Sequence, residues 1–138
     1  MSAESPGADL AARIEAIESG YEFLLAYAAQ GRDTDRGGGS GPGVRDFLQR
    51  MQDALAGLGG AVVACAESRD AGLPERCSAF FRAVDEDAAK AEALVRLVLA
   101  QADISSQLVD NLNATIHLRA LLTDLFVVDE ALKDELRA

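Results

Sequence analysis

The sequence predicts an all-helical fold, in its economical form a four-helix bundle, and three observations carry that prediction. Apolar residues recur at steps of three and four along four separate stretches. Glycine- or proline-marked breaks part the first three stretches, a capping Asp103 or Ser105 opens the fourth, and no run alternates with the period of two that marks a half-buried strand. With 138 residues, 49% of them hydrophobic, the chain is the size of one domain, 1–138, with enough apolar material for a core.

The first helix is expected over residues 7–30. Leu10, Ile14, Ile17, Tyr21 and Leu24 fall on one stripe, and Ser5 before Pro6 supplies a capping hydroxyl beside a residue that needs no N–H in a first turn. GRDTDRGGGSGPG, residues 31–43, has no apolar period and reads as a flexible connection. A second helix carries Val44, Leu48, Met51, Leu55, Leu58, Val62 and Cys65, and a third carries Cys77, Phe81, Val84, Ala88, Ala91, Val95 and Val98. Between them SRDAGLPE offers a glycine stop and Pro74 as a start, so the two fold back as a hairpin. That register sets Cys65 near Cys77, Leu58 near Val84, Met51 near Ala91 and Val44 near Val98. Gly59-Gly60 serves either a bend or a close helix approach. A fourth helix starts near Asp103 or Ser105 and runs to the end of the chain. The length of the first loop leaves the helix order around the bundle open.

Taken as continuous rods, the first and fourth helices have more apolar surface than one core needs. On the first, Gly20, Phe23 and Tyr27 lie away from the main stripe. On the fourth, Ile104, Leu108, Val109, Leu112, Ile116, Phe126 and Val127 form one side, while Leu118, Leu121, Leu125, Val128 and Leu132 form a second seam. Each large side chain is worth about 1.5–3 kcal/mol on burial, so a surplus row predicts a partner. The expected contact surface is therefore Phe23 and Tyr27 with Leu118, Leu121, Leu125 and Val128, and a symmetric homo-oligomer is the simplest way to cover it.

Thirteen Lys and Arg against 23 Asp and Glu give a net charge of −10. A field of that sign repels nucleic-acid phosphates and anionic lipid surfaces, so neither is expected as a partner. The start of the sequence has no basic segment followed by an apolar run, and no apolar stretch is long enough to span a bilayer. With only two cysteines, the expected location is the cytoplasm.

Site chemistry is sparse, and no cofactor is expected. The one histidine, His117, falls on the polar strip of the fourth helix with Ser106, Asp110, Asn113 and Asp124. HLRALL lacks the glycine and the basic residue three positions on that phosphotransfer histidines usually carry, which leaves an ordinary surface histidine. A di-iron bundle needs Glu-x-x-His pairs, a c-type haem needs C-x-x-C-H, and a zinc site built on Cys65 and Cys77 lacks two ligands. The glycine-rich stretch has neither the Lys-Ser/Thr ending nor the preceding strand of a phosphate loop.

Arg119 is the exception. It projects beside the inward stripe of the fourth helix, where it needs Glu18 or Glu22 of the first helix as a partner or else serves an anion. The functional expectation is a non-enzymatic accessory or adaptor protein working through contacts on helices one and four. A small-molecule or anion sensor with a pocket at Arg119 is the alternative.

Overall fold

The computed structural model describes residues 4–137; residues 1–3 and Ala138, where the expected fourth helix ends, lie outside them. The protein is 76% helix, with eight helices and no strand among the described residues.

Helix α1, Pro6–Ala28, opens as its sequence requires. The Ser5 hydroxyl accepts from the Ala8 amide at 3.1 Å, and Pro6 occupies the first turn. The connection that follows departs from the flexible stretch expected, because its first half is tied down. Arg32 and Ser106 exchange two hydrogen bonds: the Arg32 amide donates to the Ser106 hydroxyl at 2.9 Å, and the Ser106 amide donates to the Arg32 carbonyl at 2.8 Å. Asp35 receives the Arg45 guanidinium at 2.7 Å and the Ile104 amide at 2.9 Å. Arg45 also donates to the carbonyls of Leu99, Gln101 and Ala102, satisfying acceptors at and past the end of a later helix. Composition alone misreads this loop because its order comes from residues far away in sequence.

The second expected rod is two helices, α2 (Val44–Leu55) and α3 (Leu58–Arg69). The break lies at Ala56, whose backbone is extended, and Gly57, at φ 78°, in the left-handed region open to glycine. The glycine pair downstream has another role. A methyl group at Gly59 would lie 2.9 Å from Cβ and Cγ of Asp85 and closer still to its Oδ1, so Gly59 permits close helix approach, while Gly60 has open space. The orphan carbonyls where α2 ends are capped from α1: Arg13 donates to Ala54 at 3.1 Å and to Ala56 at 2.7 Å.

After the turn comes a short helix, α4 (Leu73–Arg76), and then α5 (Ser78–Leu99). The buried stripe of α5 begins at Val84 and continues through Ala88, Ala91, Val95 and Val98. Cys65 is buried, but Cys77 sits exposed at the α4–α5 junction, so the cysteine meant to close the apolar seam is outside it. The fold-back itself is visible in Gly59 against Asp85 and in Arg45 against Leu99.

The last expected rod is three helices: α6 (Ser106–Ala114), α7 (Ile116–Ala131) and α8 (Lys133–Leu136). Thr115 makes the main break. Its hydroxyl donates to the Leu112 carbonyl at 2.9 Å and accepts from the Leu118 amide at 3.3 Å, ending one helix and capping the next. Helix α1 packs against α2, α3, α6 and α8, while α5 packs against α2, α3 and α7. Leu10, Ile17, Leu24, Leu48 and Leu58 lie fully buried at the centre.

Candidate contact groove between the first and seventh helices

The break at Thr115 resets the phase of the apolar pattern. Val109 and Leu112 point inward before it, and Leu118, Leu121, Leu125, Val128 and Leu132 point inward after it. The two faces of a continuous helix are thus one seam handed over at a kink. This corrects the expected contact surface: Leu118, Leu121, Leu125 and Val128 are at most 2% exposed and belong to the chain's own core. Ile116, Phe126 and Val127, on the side taken as inward, are exposed instead.

The other half of that surface is also occupied internally. Tyr27 is buried; its phenol donates to the Ile104 carbonyl at 2.5 Å, and its own carbonyl accepts from the Ser106 hydroxyl at 2.7 Å. Phe23 is half-buried, stacked on Phe47 of α2 at 4.2 Å between ring centroids. The second face of α1 is where α2 and α6 pack.

One apolar surface does lie between the first and last segments. The segments flanking α7 close onto α1, whereas α7 itself lies chiefly against α5. Between α1 and α7 this leaves a cavity of about 420 Å³, walled by Glu18, Tyr21, Glu22 and Leu25 on one side and Arg119, Leu122, Thr123 and Phe126 on the other. Leu122 forms a buried floor, while Leu25 and Phe126 are 48% and 62% exposed. Both walls follow helical spacing, at i, i+3/i+4 and i+7.

Arg119, Glu18 and Glu22 line this one groove, but the expected ion pair does not form among the described residues. Burial raises the Glu18 carboxyl above the usual carboxylate range, and the negative charges of Asp129, Glu15 and Glu22 raise it further. His117 is exposed and lines no part of this groove.

A second cavity of about 420 Å³ lies where α4 and α5 meet α7, with Leu73, Phe80, Phe81, Val128 and Leu132 in its walls. Its charged groups are already engaged. Arg76 pairs with Asp70 at 2.6 Å, and Arg69 donates to the Ala131 carbonyl. In the α1–α7 groove, by contrast, Arg119, Glu18 and Glu22 form no ion pair among the described residues.

One polar pair escapes sequence reading. Asp87 of α5 and Asp124 of α7 meet across their helix interface, and Oδ2 of Asp124 is buried without a hydrogen-bond donor. Burial, the proton that Asp124 can share with Asp87 and the Asp87 charge together push Asp124 up to about 7. Only the docking of α7 on α5 reveals the pair, because its members lie 37 positions apart in the sequence. Among the described residues no three His, Cys, Asp or Glu side chains gather as a metal site would need, and no helix is long and apolar enough to cross a membrane. Comparison of the chain with protein-family models, curated proteins and solved structures gives no match.

Proposed function

We propose that this is a non-enzymatic accessory or adaptor protein of the cytoplasm, acting through protein–protein contact on its first and last helical segments. Its scaffold is a four-helix bundle whose second and fourth rods are broken, with homo-oligomerisation as one form that the contact can take. The observation that supports this reading is the α1–α7 groove, where Leu25 and Phe126 stand largely exposed over the buried Leu122. Full burial of such a side chain is worth about 1.5–3 kcal/mol, roughly half of which is still to be gained at each, and nothing among the described residues covers them. Two cysteines are too few for a disulfide framework, which suits a reducing compartment.

The test compares the wild type with the double variant Leu25→Asp/Phe126→Asp, as paired baits and by sedimentation velocity. Both positions lie outside the core, so circular dichroism should be unchanged. The expected result is self-association or a retained partner that the double variant loses. Identical profiles for the two proteins would overturn the reading.

A second reading, a small-molecule or anion sensor, has one observation in its favour: Arg119 lines a cavity within the size range of ligand pockets and has no ion-pair partner among the described residues. Glu18 and Glu22 in the same walls oppose an anion, which places this reading second.

A further inference from the structure

We propose that the α1–α7 groove takes a short basic amphipathic helix of another protein, rather than a second copy of this chain; the inference rests on the contact reading above. The shape argument comes first. From Glu18 to Leu25 the α1 wall spans about 10 Å at 1.5 Å per residue, two turns of a helix laid alongside. Leu25 and Phe126 rise on opposite walls above Leu122, so apolar side chains at i and i+3 or i+4 of a docked helix would enter between them.

Charge decides the occupant. Glu18 and Glu22 line the groove, Glu15 and Asp129 lie near enough to Glu18 to act on its charge, and Arg119 is the single cation lining it among the described residues. Lys or Arg side chains on the flanks of a docked helix would lay their aliphatic stems on Leu25 and Phe126 and bring their charged heads to the carboxylates. A single acidic residue opposite Arg119 would fix the direction of the helix. A second copy fits poorly. A two-fold contact presents the same surface twice, so two lining carboxylates and one guanidinium, with Glu15 and Asp129 beside them, would face an identical set, between chains each carrying a net charge of −10.

Three synthetic peptides of about 14 residues, long enough for the groove with a turn to spare at each end, test this. They are a Leu/Lys amphipathic helix, its Leu/Glu counterpart, and the Leu/Lys composition scrambled to remove the apolar face. Binding is read by fluorescence anisotropy at physiological salt, and its location by amide chemical shifts. The Leu/Lys helix should bind at least roughly tenfold tighter than either of the others, with shifts concentrated around Tyr21–Leu25 and Arg119–Phe126.

Phe126→Asp separates docking from bulk attraction, because it adds a negative charge. Non-specific attraction predicts tighter binding to that variant, whereas docking predicts a loss of roughly tenfold or more. Glu22→Lys should weaken binding as well. Equal binding of the acidic or scrambled peptide, or undiminished binding to Phe126→Asp, would overturn the inference. Wild-type self-association abolished by Phe126→Asp would make a second copy the occupant, leaving the contact reading intact while this inference fails. If neither Leu25→Asp nor Phe126→Asp changes capture, self-association or peptide binding, the contact reading itself fails.

Discussion

The phenolic oxygen of Tyr27 lies 2.5 Å from the carbonyl oxygen of Ile104, fastening the end of α1 to the residue that leads into α6. Tyr27→Phe keeps the ring but leaves that buried carbonyl without its donor. Stability should fall by about 1–2 kcal/mol, read from urea midpoints at unchanged slope, while peptide binding in the α1–α7 groove stays at the wild-type level. An equal loss of binding would return Tyr27 to the contact surface.

The leucines after Thr115 are core residues, and their substitution should behave accordingly. Leu121→Ala and Leu125→Ala each remove a side chain no more than 2% exposed, so each should cost about 2–5 kcal/mol. Aspartate at either position should abolish the cooperative melt, whereas Phe126→Asp, one residue further on, should melt close to the wild type. A folded Leu121→Asp/Leu125→Asp protein would show that this seam is not the interior.

These positions also show how far sequence periodicity reaches. The α1 cap at Ser5-Pro6, the α5 stripe from Val84 to Val98 and the helical class of the chain follow from local spacing, which senses one helix face at a time. The breaks at Gly57 and Thr115 do not, because the steps Leu55 to Leu58 and Leu112 to Ile116 continue the helical period across them. An unbroken rod then turns Phe126 inward and Leu121 outward, the reverse of their placement. Thr115 was the available signal: a capping hydroxyl inside an apolar run. Arg119 lines one cavity with Glu18 and Glu22 without the expected ion pair, and the groove itself is not legible in local spacing, since it depends on how a kinked helix stands off its neighbour.

Adjacent glycines should respond oppositely to alanine. At Gly59 the added methyl presses on the Asp85 side chain and must push α3 and α5 apart or displace the carboxylate, so Gly59→Ala should lower the melting temperature. At Gly60 nothing lies within 4 Å, and the gain in helix propensity should raise stability by up to about 1 kcal/mol. Thermal melts of the two single variants check the pair, and a loss at both sites would mean that the helix bends at Gly60 as well.

Two carboxylates give the protein opposite pH windows. The Arg45 hydrogen bond, with help from the Ile104 amide, lowers Asp35 to about 2. Its contribution is therefore present above the ordinary carboxylate pKa and lost as pH falls through about 2. Asp124 is the reverse. Its folded-state value of about 7 stands above its unfolded value of 3.8, so the folded chain holds a proton there that the unfolded chain releases. That contribution is complete below 3.8, declines as pH rises, and is gone above about 7, with a slope of at most about 1.4 kcal/mol per pH unit for one proton. As two carboxylates, Asp87 and Asp124 have no donor between them and repel; with one proton, one oxygen donates to the other. Asp124→Asn supplies a permanent donor without the charge. The variant should match the wild type near pH 4.5 and exceed it at pH 8, flattening the decline between, as urea midpoints at a series of pH values would measure. A wild type whose stability is level from pH 4.5 to 8, or a decline that survives the substitution, would mean that the two side chains do not share a proton across the α5–α7 interface.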